Sequence, residues 1–160
     1  MSELVTPRLR LRRFCEGDVN TYFTMCRDPE MMRFVGQGQP LTRAQTWMQV
    51  ASFMGHWQIR GYGTWAVEEA DTGALIGRIG FQNPAGWPGV ELTWFLDKPL
   101  WGRGFATEAA RAALKHGFND YGFDKVVGLV HPDNFPSARV AVRLGGERTD
   151  TITIDALRMQ

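Results

Sequence analysis

A chain of 160 residues, 44% apolar and 22% charged, can bury a core without disulfide or metal staples and shows none of the bias of a disordered, collagen-like or fibrous protein. Eighteen basic against seventeen acidic residues leave a formal charge of +1, so there is no global field of the kind that non-specific nucleic-acid binding relies on. Met1 to Arg8 lack a signal peptide's apolar stretch, and no segment approaches the roughly 18 apolar residues of a membrane span, so one cytoplasmic domain over residues 1–160 is expected, with no nucleic-acid or membrane partner.

Arg8 to Phe14 alternates charged and apolar residues, the pattern of a strand with one solvated face. Asp18 can cap a helix carrying Val19, Tyr22, Phe23 and Cys26, which Asp28-Pro29 then breaks. Thr42 with Gln45 forms a capping box for a second helix, whose apolar face is predicted as Trp47, Val50, Ala51 and Met54 and whose end is predicted at Gly61. Three runs follow as an antiparallel meander: Thr64 to Glu69, Leu75 to Gln82 after the Asp71-Thr72-Gly73 turn, and Val90 to Asp97. From Phe105 the period turns helical, with Ala106, Ala109, Ala110, Ala113, Leu114 and Gly117 on one face. Val126 to Val130 is a short apolar run, expected as a strand covered on both sides. A helix from Pro136 to Leu144 ends at Gly145-Gly146, and Thr151 to Asp155 alternates as a final strand. The order β-α-α-β-β-β-α-β-α-β indicates an α/β (α+β) mixed sheet with flanking helices.

Cys15 and Cys26 show no C-x-x-C spacing, and His56, His116 and His131 are scattered, so neither a metal centre nor a disulfide is expected. The informative stretch is Leu96 to Glu108, where glycines stand at the start of a predicted helix. Glycines allow close backbone approach, and the first-turn N–H groups of a helix point outward at its positive end, which together make an anion site suited to a pyrophosphate. Gly102-x-Gly104 alone supports a plain turn equally well. A dinucleotide-binding fingerprint requires Gly or Ala three residues after the second glycine and a βαβ setting; here that place holds Thr107, after an antiparallel meander.

Residues 90 to 145 resemble the GNAT superfamily of N-acetyltransferases, and specifically its RimJ/RimL-like branch. The family's pyrophosphate loop has an aliphatic residue, Gln or Arg, Gly, and Gly or Ala at positions held here by Leu96, Trp101, Gly104 and Ala106; Trp101 departs from the pattern. His131 to Arg139 resembles the branch's N-x-x-S motif through Asn134 and Ser137, and Leu144-Gly145-Gly146 resembles its L-G-F ending with Gly146 in place of the aromatic. Without the resemblance, Asn134 and Ser137 read as helix-capping residues.

The resemblance implies a mostly antiparallel GNAT-like sheet whose fourth and fifth strands, 90 to 97 and 126 to 130, splay apart to admit pantetheine. It implies acetyl-CoA as co-substrate, no metal, and direct transfer of acetyl to a primary amine, either a protein N-terminus or a small molecule. Cofactor contacts are expected from Phe95, Leu96, Trp101, Gly102, Arg103, Gly104, Phe105, Ala106, Thr107, Asn134 and Ser137. Ser137 lies near the sulfur in such enzymes and is expected to assist the departing thiolate. Glu91 is the candidate base or amine-binding carboxylate, since it shares a strand face with Thr93 and Phe95; a plain sheet carboxylate is the other reading. His131 is a second, weaker candidate base. Among Trp47, Trp57, Trp65, Trp87 and Trp94, some are expected to line the acceptor pocket and others the core. A non-catalytic acyl-CoA-binding module is the competing reading. The branch normally continues through a longer final hairpin than residues 151 to 160 supply, so two readings stand: a partner in a homodimer completes the sheet, or the chain is simply short.

Overall fold

The computed structural model describes residues 3–150. Five strands form one antiparallel sheet in sequence order: β1 (Leu4–Val5), β2 (Leu9–Arg13), β3 (Thr64–Glu69), β4 (Leu75–Gln82) and β5 (Glu91–Leu96). Helices α1 (Val19–Cys26), α2 (Pro29–Met32) and α3 (Arg43–Arg60) are inserted between β2 and β3, and α4 (Phe105–Asn119) and α5 (Phe135–Arg143) follow β5. No helix among the described residues is long and apolar enough to cross a membrane. The predicted strand Thr151 to Asp155 lies outside the described residues.

The period-2 alternation of the strands assigns each side chain to one of two cores. Leu9, Leu11, Val67, Ile79, Phe81, Leu92 and Leu96 meet Phe105, Ala109, Ala110 and Ala113 of α4 on one face. The short alanine side chains let that helix lie close to the sheet. On the other face Ala66 and Phe95 pack with Phe14, Tyr22 and Cys26, and with Val50 and Phe53 of α3. The β4–β5 register pairs Arg78 with Phe95, Gly80 with Thr93 and Gln82 with Glu91, so Glu91, Thr93 and Phe95 share the face turned toward α1 and α3.

Three local expectations change in the structure. Asp18 does not cap α1: the helix continues from a 3-10 turn, and the Val19 N–H already donates to the Glu16 carbonyl. The Asp18 carboxylate instead accepts from the Cys15 N–H at 2.9 Å and pairs with Arg12 at 2.8 Å. Asp28 does more than break a helix, since its side chain caps α2 through the Glu30 and Met31 amides. On α3 the buried stripe is Thr46, Val50, Phe53 and Trp57, whereas Trp47 and Met54 are 43% and 47% exposed. Two apolar stripes share Val50, and the one that buries two aromatic rings removes more surface from water.

The Thr42–Gln45 capping box forms as expected, with Gln45 N–H on Thr42 Oγ1 at 3.1 Å and Thr42 N–H on Gln45 Oε1 at 2.8 Å. Thr42→Ala is expected to lower stability by about 1 kcal/mol. For a domain of this size that is a fall of roughly 2–4 °C in Tm, read by thermal melting.

Candidate active site

The glycine loop is built from β5 outward. After Leu96 the chain makes a 3-10 turn over Lys98–Leu100, and the Trp101 indole N–H donates back to the Leu96 carbonyl at 2.8 Å. The aromatic that replaces the family's Gln or Arg therefore serves as a strut between the strand end and the loop. Gly102 and Gly104 have φ of +76° and +79°, a region where any residue with a Cβ is strained. Gly104 is the N-cap of α4 and offers no side chain, and the first helical bond is Glu108 N–H to the Gly104 carbonyl at 3.0 Å. The amides of Gly102, Arg103, Gly104, Phe105, Ala106 and Thr107 find no acceptor among the described residues. This run of free donors at the positive end of a fifteen-residue helix is what an anion requires.

A clamp that the sequence did not reveal steadies the loop. Glu108 accepts from Thr6 Oγ1 at 2.6 Å and from Arg8 Nε at 2.6 Å, while Arg8 Nη1 donates to the Arg103 carbonyl at 2.9 Å. Burial pushes the Glu108 carboxyl up, but these donors outweigh it and hold the group below its ordinary range. Beside the clamp an open cleft of about 660 Å³ is lined by Arg8, Gly104, Thr107, Glu108, Arg111 and Arg143. Its three guanidinium groups face one carboxylate that is already engaged.

The run at 126–130 differs from expectation. Among the described residues only Val127 pairs, in a parallel bridge to Glu91, with Leu92 N–H on the Val127 carbonyl at 2.9 Å and Val127 N–H on the Val90 carbonyl at 2.8 Å. Beyond that bridge no ladder forms among the described residues, and the run is half-buried or exposed instead of covered on both sides. The two segments pair at their start and share no further backbone bond there, as the expected splay requires. Strand parity decides which β5 amides face the gap. Leu92 N–H points outward to Val127 and Asp97 N–H points inward to Ile76, so Trp94 and Leu96 present their amides to the gap and Phe95 turns its own toward β4. Of the two expected backbone contacts, Leu96 has the required direction and Phe95 does not. Trp94 takes its place.

Glu91 is 6% exposed at the first position of β5. Its Oε2 accepts from Gln82 Nε2 and from the Trp87 indole N–H, both at 2.7 Å. Burial pushes its carboxyl above the ordinary value, and the two donors, the charge of Arg78 and the backbone N–H of Leu129 only partly offset that. Of the five tryptophans considered, Trp87 is the one that touches a candidate site group. Trp57 and Trp65 are core residues, Trp94 packs against the α4-side core, and Trp47 is largely exposed. Arg78 lies on the Glu91 face as well, bonded to Tyr22 Oη at 2.8 Å and Thr93 Oγ1 at 3.0 Å. A charged residue in the middle of the run Leu75 to Gln82 was the signal that could have drawn attention to it.

At α5 the capping reading is realised for Asn134, whose Oδ1 accepts the Ser137 N–H at 3.3 Å. Ser137 contributes only its backbone amide, and its half-buried hydroxyl has no partner among the described residues. His131 stacks on Phe34 with ring centroids 5.0 Å apart and is exposed.

Residues 8–147 match the family described as Acetyltransferase (GNAT) domain. The chain belongs to the GNAT acetyltransferase family. It is 33% identical to YkkB of Bacillus subtilis over 94% of this chain and 88% of that protein. It is also similar to the crystal structure of an acetyltransferase from Agrobacterium tumefaciens, with a TM-score of 0.86 and 31% identity over 96% of this chain and 88% of that one. The GNAT fold likeness extends to RimL, a ribosomal L7/L12 α-N-protein acetyltransferase solved in complex with coenzyme A, at a TM-score of 0.76 and 19% identity over 89% of this chain and 82% of that one. As a GNAT member the chain is an acetyl-CoA-dependent acyltransferase. The free amide run from Gly102 to Thr107 has the donor chemistry that a CoA pyrophosphate needs, and the gap beside Trp94 and Leu96 has the edge amides that a pantetheine arm needs.

Proposed function

We propose that the chain acts as a single domain that transfers acetyl from acetyl-CoA directly to a primary amine. The observation that carries the amine reading is Glu91, a buried carboxylate beside the point where β5 parts from residues 126–130. Burial raises its basicity, so it can accept the proton that an ammonium group must lose before attack. A protein α-amino group, with pKa about 7.7–8.0, is already partly neutral at pH 7.4, whereas a lysine near 10.4 is only about one part in a thousand neutral. In this mechanism the neutral amine nitrogen attacks the thioester carbonyl, the developing oxyanion is met by an outward β5 amide, and the C–S bond breaks to release CoA thiolate. The thiolate takes a proton from Ser137 or from water, and the proton that the acylated nitrogen sheds as the amide forms replaces it, so that neither is left charged. The Gly102 to Thr107 amides hold the pyrophosphate, and the RimL complex with coenzyme A supports CoA as the ligand of this fold.

The test is an amine and peptide panel with acetyl-CoA, following free thiol and acetylated product by mass spectrometry. Acetylated amine is the expected product. Saturable CoA binding with no transfer to any amine would instead make the chain a binding module.

Because Asn134 supplies the cap of α5, Ser137→Ala leaves that cap in place and is expected to keep the wild-type Tm. If the hydroxyl bonds the sulfur only as charge develops, kcat falls roughly 10-fold with little change in acetyl-CoA KM. Unchanged kcat assigns the proton to water.

A further inference from the structure

Two arginines of the sheet, one half-buried and one buried, are treated differently. The Arg12 side chain is 19% exposed and reaches two carboxylates, Asp18 at 2.8 Å and Glu68 at 2.6 Å. Arg78 is 6% exposed and makes no ion pair among the described residues. Its guanidinium is held by neutral groups: Nε donates to Tyr22 Oη at 2.8 Å and Nη1 to Thr93 Oγ1 at 3.0 Å, with the Phe53 and Phe95 ring centroids each 5.4 Å from Cζ. Tyr22 in turn donates to Gln49 Oε1 at 2.8 Å, which fixes the arrangement from α3. Two of the five N–H donors are used. Nη2 has no acceptor among the described residues, and the one sealed polar side-chain atom without a partner there is Tyr121 Oη, so the Nη2 donors keep an opening to solvent.

A cation taken out of water without a directly paired counter-ion is unfavourable, and ring faces, with the Glu91 carboxylate acting at a distance, offset only part of that. The missing component is an anion that can accept from the free side of a planar fork, as a carboxylate does. Position indicates whose anion it is. Arg78 bonds Thr93, and Glu91 lies two residues along β5 on the same face, a strand step of roughly 7 Å. A ligand whose amine approaches Glu91 can therefore place an anionic group against Arg78.

We propose that Arg78 recognises a carboxylate of the acceptor, so that the amines acetylated are amino acids and amino-acid-like compounds, not polyamines or simple amines. This rests on the amine-acetylating reading above and adds the acceptor's chemical class.

The experiment uses acceptor pairs that differ in the carboxylate: L-phenylalanine and phenethylamine, L-histidine and histamine, L-lysine and cadaverine, and glycyl-phenylalanine and its amide. Acetylation kcat/KM is measured with acetyl-CoA, and affinity by calorimetry on protein loaded with CoA. In the wild type at least one carboxylate-bearing member is expected to exceed its partner by 10-fold or more in both measurements. Arg78→Met is expected to collapse that ratio to about one, and Arg78→Lys, which keeps the charge and loses the fork, to retain part of it. Should the Met variant not fold, the wild-type ratios and the Lys variant still decide. Equal rates within every wild-type pair overturn the role of Arg78 and leave amine acetylation standing, as does a folded Met variant that keeps the preference. Tighter, Arg78-dependent binding of the carboxylate member with no acetyl product upholds anion recognition by Arg78 and overturns amine acetylation. A preference confined to the dipeptide pair identifies a peptide carboxylate as the source, and one across the first three pairs a free amino acid.

Discussion

Glu91→Gln is expected to lower kcat/KM for amine acetylation by about 10²–10⁴-fold, the usual contribution of a positioned general base. Gln keeps an oxygen that can accept from both Gln82 and Trp87, so those two hydrogen bonds survive while the charge, which also draws on the Leu129 N–H and on Arg78, and the basicity are removed. Burial sets the Glu91 carboxyl above its ordinary value of 4.5, against the opposing pull of its two donors and Arg78. The wild-type profile should therefore show an acid limb displaced above that value, with activity falling as pH drops through it and the limb absent in the variant. Stability moves in the other sense. A carboxyl whose folded pKa is raised contributes most below its unfolded value and loses that contribution as pH rises through the folded one. The Gln variant should accordingly melt at or above the wild-type temperature at pH 7–8, with the difference vanishing toward pH 4. Wild-type turnover in a folded Glu91→Gln protein would return the residue to the sheet as a structural carboxylate.

Gly104→Val should weaken CoA binding by tenfold or more in calorimetry while far-UV circular dichroism stays native. The sequence suggests that a branched Cβ would obstruct the pyrophosphate directly, and the structure adds a second reason. Within the protein a Cβ built on Gly104 meets only Arg8 Nη2, at an ordinary 3.5 Å. The added obstacle is φ of +79°, where an L-residue with a Cβ is strained by roughly 1–2 kcal/mol and a β-branched one by more. Relief of that strain rotates the peptide planes on either side and re-aims the amides of the run. Gly104→Asn, which tolerates this conformation, should retain more affinity than Val. Gly61→Val supplies the same strain at φ of +75° at the end of α3, with nothing within 4 Å of its Cβ, and should leave CoA affinity intact. Wild-type CoA affinity in a folded Gly104→Val protein would remove the loop from the binding site.

Local signals were legible where one residue and its near neighbours decide the outcome. The capping box at Thr42 and Gln45, the three meander strands, the helix from Phe105 and the glycines ahead of it all rest on hydrogen bonds or dihedral preferences within a few positions. Patterns with two equivalent solutions were not decided at that level. The stripe on α3 could be Trp47 with Met54 or Phe53 with Trp57, and only packing against the sheet selects the aromatic pair. The apolar run at 126–130 has the composition of a covered strand, but it bridges once at Val127 and then departs.

The sequence by itself determined the run of elements from β2 to α5 apart from the short α2 and the strand expected at 126–130, the glycine loop at the start of α4 and Glu91 on one face with Thr93 and Phe95, since periodicity, turn chemistry and strand parity are properties of adjacent residues. Only the tertiary structure decided that Trp94 and Leu96 present edge amides to the gap, because that direction depends on which edge of β5 pairs with β4. It alone brought Gln82 and Trp87 onto Glu91, Arg8 onto Glu108 one hundred positions away, and Tyr22, Phe53, Thr93 and Phe95 around Arg78 without a carboxylate. Such groupings depend on register and on helix docking across the sheet, which no local pattern in the chain encodes.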